Sequence, residues 1–304
     1  MIFSDKDVKQ IKNHGLTLDS VNQQVEIFNA GITPLNIVKP ATTGDGVIQC
    51  SDSDCQKYAA LYEEYAKTHR VVKFVPASGA ATRMFKDLFD FMSTNVPNRV
   101  SKMTVANIDK FAFWDELKPY LPQNASDMNI AQCLVTDSGL NYGSYPKGLI
   151  EFHKYPDCIR TPIEEHLAEG AEYAISAENV VNIHFTVSPE HRTGFETLIN
   201  RVLAQYESKY GVKYAVSVSE QKSSTDTIAM NINKTPFRNP DGSLLFRPAG
   251  HGALIENLND IDADLIFIKN IDNVAVESMR ANTVKYKKVL AGILIDIQQQ
   301  VFKI

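Results

Sequence analysis

Val71-Val72-Lys73-Phe74-Val75-Pro76-Ala77-Ser78-Gly79-Ala80-Ala81-Thr82-Arg83-Met84 is the stretch on which the fold turns. Its first five residues are a short β-branched run that Pro76 stops. Small and hydroxyl side chains follow, and Met84, Leu88, Phe89 and Met92 then recur at helical spacing. The order is strand, small-residue turn, helix. It repeats downstream, where Val181, Ile183, Phe185 and Val187 alternate with Asn182, His184 and Thr186 before Phe195, Leu198, Ile199, Val202, Leu203 and Tyr206 keep helical period. Val212, Tyr214, Val216 and Val218 predict a further alternating strand. Leu265-Ile266-Phe267-Ile268 is a continuous apolar run that predicts a strand buried on both faces. Tyr286, Val289, Leu290, Ile293, Ile297 and Val301 predict a closing helix. Strands alternating with helices predict an α/β sheet with helices on both faces.

Upstream of Val71 the pattern is helical. Ser4 with Asp7 is a capping pair, Leu18, Val21, Val25 and Phe28 recur before Gly31, and Tyr58, Leu61, Tyr62 and Tyr65 share a face. Pro34, Pro40, Gly44 and Gly46 mark residues 32–50 as a connection. Residues 1–70 are therefore expected to be a helical preface and residues 71–304 an α/β domain. Thr161-Pro162-Ile163-Glu164 starts another helix, with a cap, a first-turn proline and a capping glutamate.

The 304 residues, 44% of them hydrophobic, suffice for a large core and exclude a disordered or disulfide-stapled chain. A net charge of -5 gives no general attraction for nucleic acid or an anionic membrane, so neither is an expected partner. The four cysteines, Cys50, Cys55, Cys133 and Cys158, lack zinc-site spacing and read as free thiols of a reducing compartment. The charged N-terminus and the short apolar run Val289–Ile295 predict a soluble, cytoplasmic protein.

Four segments can carry chemistry. In Pro76–Met84, small side chains let backbone N–H groups approach a phosphate, and Arg83 adds a fork of donors. Lys147, between Pro146 and Gly148, can deliver a point charge. Gly250 and Gly252 flank His251, which reads as an acid or base or as a structural loop histidine. Asp272 and Asn273 follow the apolar run 265–268, where a sheet turns its ligand crevice outward. Asp272 there can hold a divalent cation, or the pair can cap a helix.

In order, these segments resemble the nucleotide-sugar pyrophosphorylases, most closely their UDP-sugar branch. The matching motifs are Gly79-Ala80-Ala81-Thr82-Arg83, Pro146-Lys147-Gly148, Ser219-Glu220-Gln221, Pro248-Ala249-Gly250-His251-Gly252 and Asn270-Ile271-Asp272-Asn273. The resemblance covers about residues 71–275 and implies a Rossmann-like nucleotide-binding mixed sheet of the nucleotide-diphospho-sugar transferase type. It implies that Ala77, Ser78, Gly79 and Ala80 hold base and phosphates, and that Gln221, Gly250 and His251 belong to the nucleotide site. Arg83 and Lys147 would be the catalytic cations, and Asp272 would bind Mg²⁺. The implied reaction joins a nucleoside triphosphate, UTP by the resemblance, to a sugar 1-phosphate with release of pyrophosphate. A nucleotide-binding module without chemistry and a glycosyltransferase using a nucleotide sugar are the alternatives.

The chain departs from that family at three points. Ala81 stands where glycine is usual. The long Arg83–Lys147 interval predicts a helical insertion at about 86–140, serving as a lid or a contact in a homo-oligomer. Only 31 residues follow Asn273, so the sugar-binding part is expected to be largely absent.

Overall fold

The computed structural model describes residues 3–31, 33–79 and 81–303, with His251 described by its backbone alone. Eleven helices are assigned among the described residues: α1 (Asp5–Asn13), α2 (Leu18–Ala30), α3 (Asp52–Ala66), α4 (Lys86–Thr94), α5 (Arg99–Ala106), α6 (Trp114–Leu117), α7 (Asp127–Val135), α8 (Pro162–Tyr173), α9 (Arg192–Tyr210), α10 (Ile255–Asn259) and α11 (Ala281–Val301). The main sheet contains β1 (Val71–Pro76), β2 (Ile175–Ser176), β3 (Val180–Val187), β4 (Lys213–Glu220) and β5 (Leu265–Ile268). No described helix is long and apolar enough to cross a membrane.

The chain divides into two compact units, residues 1–53 with 221–262, and residues 54–220 with 263–304. In the first, Ser4 and Thr17 cap α1 and α2 through reciprocal capping boxes, and Gly31 ends α2 at φ 77°. Ile11, Leu16, Val21 and Val25 pack with Ile228 and Leu244, so the returning segment closes the core of the two N-terminal helices. Thr227–Ile228 and Phe246–Arg247 pair there as a short antiparallel ladder.

The second unit holds the sheet. Four of its strands are parallel and lie in the order β5-β1-β3-β4, while β2 pairs antiparallel with the start of β3. This is a mixed-sheet α/β fold. Central β1 is buried along its whole length, and Pro76 is its last residue rather than its terminator. The strand buried on both faces is thus β1. The expectation placed on Leu265–Ile268 fails because β5 lies at a sheet edge, where Ile266 is half-buried and Ile268 is 51% exposed.

Register fixes the faces. Val71, Lys73 and Val75 share a face with Leu265, Phe267, Ile183 and Phe185. The buried clusters on that face draw residues from α3, α8, α9 and α11 alike. These four helices therefore cover one face. On the other, Asn182, His184, Ser217 and Ser219 make β3 and β4 polar, while Val72 and Phe74 of β1 are buried. His184 is held by the Ser217 and Ser219 hydroxyls, each 2.7 Å from a ring nitrogen.

Residues 81–150 form a helical layer with its own core of Phe85, Leu88, Phe91, Leu117, Leu134 and Ile150. Met84 precedes α4 rather than lying in it. Trp114 is only partly buried against this core, whereas Phe113 and Leu117 are inside it.

Candidate functional site

In the parallel part of the sheet the chain runs from β1 to β3 on one side, then β4, and returns to the opposite side of β1 as β5. The direction of connection reverses between β1 and β5, so their carboxyl ends splay around a crevice. Two loops line it. Ala77, Ser78 and Gly79 leave β1, anchored by Ala77 N–H donating to the Thr186 carbonyl (2.8 Å) and the Ser188 hydroxyl donating to the Ser78 carbonyl (2.7 Å). Residues 269–273 leave β5, with Lys269 N–H on the Phe74 carbonyl and Ile271 N–H on the Pro76 carbonyl, each at 3.1 Å.

A third segment reaches the same place. Lys147 Nζ lies 2.6 Å from an Asp272 carboxylate oxygen, joining positions 125 residues apart. Their side chains are 23% and 31% exposed, so the pair sits at the mouth rather than in the core. Gly148 permits this approach, because a Cβ there would stand 2.5 Å from the Phe195 ring. The turn Ala81–Arg83 is tied to the segment leading into Lys147: Ala81 N–H donates to the Tyr145 carbonyl (3.0 Å) and the Thr82 hydroxyl to the Gly143 carbonyl (3.1 Å). Arg83 is exposed at the end of that turn, with no ion pair among the described residues.

The structure thus gathers Ala77, Ser78, Gly79, Arg83, Lys147 and Asp272 within one unit. Ala80 lies outside the described residues, as does the side chain of His251. Gln221 and Gly250 belong to the other unit, where the Gln221 amide donates to the Ala249 carbonyl at 3.4 Å. Ala81 causes no strain, since it begins an ordinary 3-10 turn and is absent from the positive-φ residues. Gly79, Gly250 and Gly252 do not occupy the left-handed region either. Asp272 and Asn273 cap no helix, because a turn and extended chain follow them.

Sequence reading missed what lies beneath the crevice. Lys73, in the middle of β1, is fully buried and contacts Glu169 Oε1 at 3.2 Å, while Lys269 reaches Glu169 Oε2 at 2.5 Å. The Tyr173 hydroxyl donates to Glu169 at 2.7 Å. Burial alone would push the Glu169 carboxyl up, but Lys73 and Lys269 outweigh it and hold it well below the usual carboxylate range. Burial pushes the Lys73 ammonium down, against the pull of Glu169. His166, also on α8, donates from Nε2 to the carbonyls of Asn270 and Ile271, both at 3.2 Å. That bond pair fixes the turn presenting Asp272 and leaves buried Nδ1 as an unpartnered acceptor.

One turn earlier on the same face of α8 lies a second network. Glu165 accepts from Arg280 (2.8 Å) and from the Tyr155 hydroxyl (2.6 Å), and Arg160 bonds Glu277 at 2.7 Å. The available signals were Lys73 inside an apolar strand and Glu165, Glu169 and Glu172 at helical spacing between Leu167, Ala168 and Ala171.

The expected Mg²⁺ meets a poor donor set. Asp272 is a hard oxygen ligand, but its carboxylate is engaged by Lys147, and no three His, Cys, Asp or Glu side chains converge as a metal-holding group among the described residues. Beside this pair stand the small side chains of Ala77, Ser78 and Gly79, whose backbone N–H groups and the Lys147 ammonium are donor types that an anion can use. No curated protein matches the sequence. A family model does match it over residues 4–304, nearly the whole chain, and on that ground the protein belongs to the family described as domain of unknown function (DUF4301).

Proposed function

We propose that the chain is a cytoplasmic nucleotidyltransferase that joins a nucleoside triphosphate to a sugar 1-phosphate. The observation that carries this reading is the convergence of Lys147, Asp272 and the Ala77–Gly79 loop at the point where strand connections reverse. The parallel strands, ordered third, second, first and fourth along the chain, support a Rossmann-like nucleotide-binding sheet. The five-motif resemblance supplies the reaction and the preference for UTP.

A phosphate oxygen of the sugar 1-phosphate attacks the α-phosphorus, a new P–O bond forms, and the bond to the β-phosphate bridge breaks. Pyrophosphate leaves with that electron pair. No covalent enzyme intermediate is needed, so this chain contributes alignment and charge neutralisation. Arg83, with no ion pair among the described residues, keeps its donors for the phosphates. Lys147 has three donors, so it can keep Asp272 with one and serve the triphosphate with the others. Magnesium belongs to this scheme as part of the Mg–nucleotide substrate.

The test is pyrophosphate release from each nucleoside triphosphate with a panel of sugar 1-phosphates. Arg83→Ala and Lys147→Ala should each lower turnover about a hundredfold, the usual effect of losing about 3 kcal/mol of transition-state stabilisation. Near-normal turnover in both variants, or no release with any pair by a folded wild-type chain, refutes the reading.

A further inference from the structure

We propose that the helical layer of the sheet-bearing unit contains a second binding site, for a small organic ammonium ion with an apolar body. A cavity of about 310 Å³ opens between the Met84–Leu88 segment, α5 and the Ile150–Phe152 segment. Four phenylalanines line it, Phe85, Phe111, Phe113 and Phe152, and Phe111 and Phe113 stack with ring centres 5.2 Å apart. Apolar side chains are also left in water around it: Met84 is 42% exposed and Val100 48%. A pocket of this size and lining takes a small molecule whose few polar groups must meet a specific partner.

The wall supplies that partner. Glu151 lines the cavity, and its Oε2 is buried with no hydrogen-bond partner. A carboxylate with one buried, unpartnered oxygen is poorly solvated, and a cation held beside the group offsets that cost. Charge selects the donor. Asp87 also lines the cavity, and Glu116, Glu164 and Asp115 add negative field at Glu151, opposed by Lys154. Tyr142 does not relieve Glu151 with its hydroxyl, which donates instead to Glu116 at 2.8 Å. Burial first, then those carboxylates, push the Glu151 carboxyl up to about 7. An ammonium beside Glu151 and Asp87 answers the negative field and meets the aromatic faces by cation–π attraction. An anion is repelled, and a neutral body gains only the apolar contacts. The site is distinct from the phosphate crevice and stands whether or not nucleotidyl transfer does.

Calorimetric titration with three probes of one shape tests this: phenethylammonium, 2-phenylethanol and phenylacetate, at mildly alkaline pH where Glu151 is ionised. Phenethylammonium should bind best, phenylacetate should not bind, and Glu151→Gln should weaken the ammonium roughly tenfold or more while leaving the alcohol unchanged. Val100→Phe, which fills the lip, should weaken ammonium and alcohol together. Circular dichroism confirms that both variants remain folded. Equal affinity for ammonium and alcohol, ammonium binding indifferent to Glu151→Gln in a folded variant, or no binding of phenethylammonium overturns the proposal.

Discussion

Replacing Glu169 by Gln and Lys73 by Met should have sharply unequal consequences, although the two side chains form one buried ion pair. Both are essentially removed from water, at 1% and 0% side-chain exposure. Glu169, however, also binds Lys269 at 2.5 Å and Tyr173 at 2.7 Å, so the group holds two cations and one anion. Glu169→Gln leaves both ammonium groups without a counter-charge, a change that costs about 3–5 kcal/mol. Lys73→Met leaves a neutral Lys269–Glu169 pair, and methionine fills much of the lysine volume. What it loses is the 3.1 Å bond to the His166 carbonyl, about 1 kcal/mol, set against the relief of a desolvated ammonium. Urea unfolding with matched slopes measures both. The signs with pH follow. The depressed Glu169 carboxyl contributes stability above its unfolded value that is lost as pH falls toward its folded value. The depressed Lys73 ammonium makes the fold gain stability as pH rises toward the ordinary lysine range, and Lys73→Met should flatten that rise. A Lys73→Met loss equal to that of Glu169→Gln would refute the reasoning.

Two further outcomes follow from local geometry. Asp7 accepts from both terminal nitrogens of Arg238, at 2.7 and 2.9 Å, and from Ser4 N–H at 2.8 Å, with Arg238 chiefly holding its carboxyl below the usual range. Its contribution is present above the unfolded value and is lost progressively as pH falls below that toward the folded value, so hydrogen-exchange protection of α1 should decline in acid. Asp7→Asn should cost about 1.5–3 kcal/mol at neutral pH and remove that decline; unchanged α1 protection would contradict the pairing. Gly148→Ala drives a methyl group to 2.5 Å from the Phe195 ring, which should cost about 1–3 kcal/mol in urea unfolding and displace Lys147. A variant as stable as the parent would show that Phe195 yields freely.

Local rules were enough for much of this molecule. Period and capping placed α1, α2, α8, α9 and α11, because Ser4 and Thr161 satisfy helix-start donors within three residues of themselves. Alternation likewise revealed β3 and β4, and the polar face of β3. Period does not reveal neighbours. The short run 265–268 reads the same at an edge as in a sheet centre, so only pairing with β1 alone among the strands could expose Ile268.

The site divides along the same line. Sequence singled out Arg83, Lys147 and Asp272 as residue types suited to phosphate chemistry, and by itself it determined the strands Val71–Pro76 and Leu265–Ile268 that precede Arg83 and Asp272. Only the tertiary structure decided that Lys147 and Asp272 meet at 2.6 Å, that Gln221 and Gly250 fall in a separate compact unit, and that Lys73 and Glu169 are charged groups of the core. Element formation depends on interactions a few residues apart, which spacing records. Partnership among charges depends on distances between segments more than ninety residues apart, which chain order leaves free until the sheet sets them.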